Sequence, residues 1–117
     1  MREALERKLA AGHDTALLRF SLGIEYLEEG DFEAAIRHLE RATQQNPSYS
    51  AAWKSLGKAL LEAKREKDAV AAWKIGIETA QGRGDIQAAR EMSVFLKRAL
   101  RRLNLPPSST KAGSPRR

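Results

Sequence analysis

Few residues of this sequence have the types and spacing that catalysis or metal binding requires. Cysteine is absent, which excludes disulfides, thiolate catalysis and cysteine-based zinc sites. The two histidines, His13 and His38, form no His-x3-His or Glu-x2-His pair that a metal ion could use. The nearby carboxylates of Glu28, Glu29 and Glu33 are interpreted as solvated charges beside a turn. We therefore expect no enzyme, no metal site and no cofactor.

Positive charge is concentrated near the end of the chain. Lys/Arg and Asp/Glu balance within residues 1–83, so the formal net charge of +6 lies within residues 84–117. Helical spacing predicts one basic patch of four side chains: Lys97, Arg98, Arg101 and Arg102. Such a patch suits contacts with nucleic-acid phosphates, although no aromatic residues are interleaved for base stacking. The competing interpretation is a solvated helix end, where cations also interact favourably with the helix dipole.

Lys54 and Lys58 form a second group of cations. They are four residues apart and would share one face of a helix. Two ammonium groups in that arrangement suit a carboxylate or the acidic side chains of a partner. A solvated pair is the alternative interpretation, because exposed charges are common and contribute little.

The apolar residues that must position these charges recur at intervals of three and four, which is the period of a helix packed against a core. The pattern predicts helices at 2–11, 15–29, 32–45, 49–63, 66–81 and 86–103. Glycine or proline interrupts it at four of the five places between helices, and an aspartate is predicted to cap the next helix at Asp14, Asp31 and Asp85. The fold class expected from this pattern is all-α.

Length and composition limit the architecture. A chain of 117 residues with 42% hydrophobic and 31% charged residues fits one compact domain or a short repeat array. No stretch approaches the roughly 18 apolar residues of a membrane span, and residues 1–8 lack the apolar run of a secretory signal. A cytoplasmic location without membrane contact is therefore expected.

Residues 104–117 lack apolar periodicity and are predicted to be a disordered basic tail.

The sequence repeats itself at an offset of 34 residues. Ser21-Leu22-Gly23 returns as Ser55-Leu56-Gly57, and Leu27-Glu28 returns as Leu61-Glu62. The shared glycines are informative, because a glycine inside a helix costs about 1 kcal/mol relative to alanine and is typical of a place where another helix passes closely.

These residues resemble the tetratricopeptide repeat, whose signature is W-x2-L-G-x2-Y, then A-x3-F, then P. The first repeat matches it at Leu22, Gly23, Tyr26, Ala35, Ala42 and Pro47, and the second at Trp53, Leu56, Gly57, Ala69 and Trp73. Five positions depart from the pattern or from the first repeat. Leu39 replaces the Phe of the first repeat, and Leu60 replaces the Tyr of the second. Arg19 replaces the aromatic residue, Lys64 stands where the first repeat has the turn glycine Gly30, and Gln81 replaces the closing proline.

The resemblance implies antiparallel helix pairs stacked in a short right-handed superhelix. The expected parts are a capping helix and linker (1–15), two repeats (16–49 and 50–83), a second capping helix (84–103) and the tail (104–117). About three repeats are usually needed for a stable stack. Modest stability is therefore expected, and weak self-association through an exposed end is left open.

The resemblance also implies a non-catalytic protein–protein interaction module that binds a peptide or partner protein in a concave groove. The corresponding groove residues are Phe20, Ile24, Leu27, Glu28, Lys54, Lys58, Leu61, Glu62, Met92 and Phe95. The alternative for the apolar members is burial in the core. Some family members clamp a terminal carboxylate with asparagines, but Ile24, Ser55 and Lys58 occupy the corresponding places, which disfavours that clamp. The alternative function is binding of nucleic acid or ribonucleoprotein through the basic C-terminal helix and tail.

Overall fold

The computed structural model describes residues 1–104, in which every regular element is an α-helix. The helices are α1 (Arg2–Ala10), α2 (Ala16–Glu29), α3 (Phe32–Gln45), α4 (Ser50–Glu62), α5 (Glu66–Arg83) and α6 (Ile86–Arg102). The predicted all-α class is confirmed, and each predicted helix end lies within two residues of the observed one. Apart from Asn104, the predicted tail lies outside the described residues.

The helices pack as antiparallel pairs that stack side by side. Each of the two repeats is one pair, α2 with α3 and α4 with α5, and α3 and α5 pack against the helix that follows them. Direct contacts also join α2 to α4 and α4 to α6. The surfaces of α2, α4 and α6 therefore meet along one face of the stack.

A glycine lets the two helices of each repeat approach closely. Gly23 of α2 lies against Leu39 of α3, and a Cβ atom at Gly23 would lie 2.5 Å from Leu39 Cγ. Thirty-four residues later, Gly57 of α4 meets Trp73 of α5, and an added Cβ would lie 2.6 Å from Trp73 Cδ1. Leu39 and Trp73 are fully buried, and Trp73 Nε1 donates a hydrogen bond to the Lys54 carbonyl (3.1 Å). The 34-residue repeat of the sequence therefore corresponds to a repeated helix–helix contact at a glycine.

A similar contact holds the last helix. Gly76 of α5 faces Met92 of α6, and a Cβ at Gly76 would lie 2.5 Å from Met92 Sδ. The Met92 side chain is 0% exposed. The prediction that Met92 lines a groove is therefore wrong, because its side chain fills the contact between α5 and α6.

The helix caps follow the predicted aspartates at two of the three places. Asp31 accepts a hydrogen bond from the Ala34 N–H, and Asp85 accepts one from the Ala88 N–H. At the start of α2 the cap is Thr15, whose hydroxyl accepts from the Leu18 N–H (3.2 Å). The prediction of Asp14 as that cap is wrong, because its carboxylate is bound elsewhere, as described below.

The turn inside each repeat has the same backbone geometry although its central residue differs. Gly30 has φ +83°, and Lys64, the equivalent residue in the second repeat, has φ +65°. The Gly30 N–H donates to the Leu27 carbonyl (3.1 Å) and the Lys64 N–H donates to the Leu61 carbonyl (3.0 Å). A side chain in this left-handed region costs about 1–2 kcal/mol, so the second turn carries backbone strain that the first lacks.

Gly57→Ala should destabilise the protein by about 2 kcal/mol, in the range expected for overpacking a core. The added methyl group would overlap the Trp73 indole, which is buried and held by its hydrogen bond to the Lys54 carbonyl. Thermal or urea unfolding followed by circular dichroism measures the change. The matched control is Gly82→Ala, also within a helix but with no atom within 4 Å of the added carbon, where stability should be unchanged or should rise. Equal effects of the two substitutions would contradict the packing assignment.

Lys64→Gly should stabilise the protein by about 1 kcal/mol, because glycine adopts the left-handed conformation without steric cost. For a chain of this size the melting temperature should rise by about 4–8 °C. The reciprocal substitution Gly30→Lys should lower it. A melting temperature that falls with Lys64→Gly would show that the lysine side chain contributes more than its backbone strain costs.

Candidate functional site

Two clefts lie on the face where α2, α4 and α6 meet. The first, between α2 and α4, has a volume of about 530 Å³ and is lined by Ile24, Leu27, Glu28, Gly30, Phe32, Ser55, Lys58 and Glu62. The second, between α4 and α6 with Trp73 of α5 at its base, has a volume of about 240 Å³ and is lined by Lys58, Leu61, Glu62, Trp73, Phe95, Arg98 and Arg102. Both clefts are open to solvent and share Lys58 and Glu62. We call the two together the inner groove.

The structure places most of the predicted groove residues in this groove and three of them elsewhere. Seven predicted residues line it: Ile24, Leu27, Glu28, Lys58, Leu61, Glu62 and Phe95. Phe20 is half-buried instead against Tyr49, with ring centroids 5.0 Å apart. Met92 belongs to the core, and Lys54 is held by an ion pair.

Lys54 and Lys58 do not act as a pair of free ammonium groups. Lys54 Nζ donates to Glu91 Oε1 at 2.7 Å, and this hydrogen bond lowers the pKa of Glu91. Lys58 Nζ lies 5.6 Å from the centroid of the Phe95 ring, within the range of a cation–π contact. Only Lys58 of the two therefore lines the groove, beside an aromatic ring.

The basic residues predicted to form one patch on α6 line two different depressions. Arg98 and Arg102 line the inner groove, whereas Lys97 lines a separate depression with Ile86 and Val94. All four side chains are exposed, and a turn of about 100° per residue spreads them over an arc of about 140° around the helix. The single four-residue patch therefore stays a prediction.

Comparison with known proteins identifies the architecture. A tetratricopeptide repeat profile matches residues 20–74. A TPR repeat-containing protein of Pseudomonas aeruginosa is 52% identical over 98 residues, which cover 84% of this chain and 93% of that protein. The chain belongs to the tetratricopeptide repeat family.

Solved structures have the same arrangement of helices. The solution structure of a protein from Bordetella parapertussis is 46% identical with a TM-score of 0.77, covering 87% of this chain and 89% of that one. The solution structure of a tetratricopeptide repeat domain protein from Salinibacter ruber is 25% identical with a TM-score of 0.67, covering 72% and 85%. The family resemblance of the sequence is therefore confirmed.

The first helix of this tetratricopeptide repeat (TPR) protein is joined to the first repeat by polar contacts that the sequence did not predict. Arg2 Nε donates to both carboxylate oxygens of Glu29 (3.0 and 2.9 Å), and its guanidinium lies 5.2 Å from the Tyr26 ring centroid. The Tyr26 hydroxyl donates to Glu6, which raises the pKa of Tyr26. No side chain of α1 is fully buried, so these contacts act together with the partial burial of Leu5 and Leu9 to attach α1.

A second set of contacts surrounds His38 of α3, whose side chain is half-buried. Its imidazole stacks on Tyr26, with centroids 5.4 Å apart and planes 8° from parallel. Arg19 Nη1 lies 3.1 Å from His38 Nδ1, and arginine can only donate, so Nδ1 accepts. Arg19 also donates twice to Asp14 (2.7 and 2.9 Å). Together with the Gln45 amide, this holds the pKa of Asp14 well below its usual value. The signal that could have found this cluster is Arg19 itself, which stands where the TPR signature has an aromatic residue.

The environment of His38 favours the neutral imidazole. Burial lowers the pKa of His38, and the positive charge of Arg19 lowers it further. Carboxylates further away, Glu6 and Asp14, oppose this effect. A proton on Nδ1 would also replace the hydrogen bond from Arg19 with repulsion between two donors. The contacts of this cluster therefore link α2 to α3 and have a structural role.

Neither a metal site nor a membrane-spanning helix is found in the part of the chain that the structure describes. No group of three or more His, Asp or Glu side chains in residues 1–104 is placed to hold a metal ion. No helix in that range is both long and apolar enough to cross a membrane.

Stability should fall as the pH decreases from 7.5 to 5.5, because the folded pKa of His38 lies below the ordinary value of 6.5. The unfolded chain then binds more protons than the folded one in this window, and protonation favours unfolding. Urea unfolding at each pH measures the slope. His38→Phe should flatten it, whereas His13→Gln, at an exposed position, should leave it unchanged. A slope that survives in His38→Phe would assign the effect to another group.

Proposed function

We propose that this protein is an interaction module that binds a peptide segment of a partner protein in the inner groove. TPR domains are generally protein–protein interaction modules without catalytic activity. The single observation that supports the assignment to this groove is that apolar side chains of three helices line its two clefts. Ile24 and Leu27 come from α2, Leu61 from α4 and Phe95 from α6, and all four are only partly buried.

The dimensions and polarity of the groove fit a chain rather than a small molecule. Its two clefts are open and adjoin at Lys58 and Glu62, whereas pockets for small ligands bury most of the ligand surface. Charged side chains line the rim beside the apolar floor. This combination of an apolar centre and a polar rim is typical of protein interfaces.

The nucleic-acid alternative is not supported. Of the four basic residues predicted to contact phosphates, Arg98 and Arg102 line a groove with Leu61, Phe95 and the carboxylate of Glu62, whereas Lys97 lines a separate depression. Within the described residues, the depression that Lys97 lines contains no aromatic side chain on which a base could stack. Protein is therefore the partner class that we propose.

Ile24→Asp should weaken binding of groove ligands by at least about tenfold, because a carboxylate would be desolvated in the apolar floor. Ligands are obtained by selecting random 12-residue peptides against the full chain, and affinities are measured by fluorescence anisotropy. The control is Ile75→Asp, which places the same charge on an exposed isoleucine of α5 (45% exposed) outside the groove. Circular dichroism checks that both variants fold.

The position of the bound peptide is tested separately by NMR. Amide shifts should change on α2, α4 and α6 when a selected peptide is added to the labelled protein. Equal affinities of the two aspartate variants, or shift changes confined to other surfaces, would contradict a role for the inner groove.

A further inference from the structure

The inner groove carries opposite charges at its two ends. The cleft between α2 and α4 contains two carboxylates, Glu28 and Glu62, with the single cation Lys58. The cleft between α4 and α6 contains three cations, Lys58, Arg98 and Arg102, with the single carboxylate Glu62. A peptide that spans the groove therefore meets an acidic half first and a basic half second.

The cations of the basic half are weakly paired compared with other cations in the protein. Arg2, Arg19 and Lys54 hold carboxylates at 2.9, 2.7 and 2.7 Å. In contrast, the nearest carboxylate oxygen to Arg102 is that of Glu66 at 3.9 Å. Arg98 forms no ion pair within residues 1–104, and both arginine side chains are exposed. Their hydrogen-bond donors are thus available to a ligand.

The floor of the basic half is apolar and has a defined size. Phe95 and Leu61 line it, with the Trp73 ring at its base, tilted by 42° to the Phe95 ring at 5.5 Å between centroids. Its volume is about 240 Å³, and an apolar cavity of about 150 Å³ already accepts benzene. One leucine or phenylalanine side chain of a ligand fits this space.

We infer that the basic half of the groove selects an acidic peptide segment. A bulky apolar side chain of that segment lies between Leu61 and Phe95, and its flanking carboxylates bind Arg98 and Arg102. This rests on the proposed function and adds the chemistry of the partner. Arginine binds carboxylates through paired hydrogen bonds, and Arg98 and Arg102, one turn apart on α6, can hold two successive acidic groups. Glu28 and Glu62 disfavour a continued acidic run, so the acidic segment is confined to the α6 end.

Three synthetic 12-residue probes test this inference. Each has a central Leu-Phe pair and an amidated C-terminus. Two Glu, two Gln or two Lys residues stand on each side of the pair, and Gly and Ser fill the six outer positions. Amidation leaves side-chain carboxylates as the only acidic groups. Wild type should bind the Glu probe about tenfold more tightly than the Gln probe, as expected for charge-assisted hydrogen bonds, and should bind the Lys probe most weakly.

A pair of matched double variants locates the preference. Arg98→Gln/Arg102→Gln should reduce the Glu-over-Gln preference to less than about threefold, because it removes the donors in the groove. Lys97→Gln/Arg101→Gln removes the same charge from the same helix at exposed positions that do not line the inner groove, and should keep the preference. Equal losses in the two variants would show that a general positive field acts on the probe, which overturns the inference.

The remaining outcomes separate the inference from the proposed function. If peptides selected from the random library shift the groove amides but show no Glu-over-Gln preference, the inference fails and the proposed function stands. If no peptide shifts those amides, both fail. Tighter binding of a 12-nucleotide single-stranded DNA than of the Glu probe, lost equally in both double variants, would identify a polyanion-binding surface and overturn the inference.

Discussion

The structure depends on the close approach of two helices at a glycine in each repeat. Because Gly23 and Gly57 lack a Cβ atom, Leu39 and Trp73 can occupy the space beside the helix backbone. Both side chains are buried there from solvent. Protein interiors are packed densely enough that a single added methyl group is felt. The contact therefore fixes the rotation of α2 and α4 about their axes, and this rotation decides which of their side chains face the inner groove.

The packing contact and the groove chemistry are carried by adjacent residues that point in different directions. Gly57 is buried against Trp73, whereas the next residue, Lys58, lines the groove. In the first repeat the equivalent neighbours are Gly23, which packs against Leu39, and Ile24, which lines the groove. The same scaffold thus presents a cation at one repeat and an aliphatic side chain at the other. This position can differ between repeats at little cost to packing, because neither Ile24 nor Lys58 belongs to the buried core.

The sequence predicts what is periodic in this molecule and does not predict what is irregular. The helices, the order of the repeats and the buried glycines all follow from spacings of three, four and 34 residues, and these were found where expected. The pair Lys54–Glu91 joins residues 37 positions apart and has no periodic signal. Met92 and Phe95 share the helical spacing, yet Met92 packs against α5 whereas Phe95 lines the groove. Spacing alone cannot distinguish a face that packs from one that stays open.

The attachment of α1 has a consequence for local unfolding. This helix has nine residues, none of them fully buried, and an isolated helix shorter than about 12–15 residues is marginal in water. Its folded state therefore relies on docking against α2, where Arg2 and Glu6 bind Glu29 and Tyr26 beside the half-buried Leu5 and Leu9. The repeats have larger buried contacts, so we expect α1 to detach while they remain folded and its amide protons to exchange with solvent through this partial opening rather than through global unfolding.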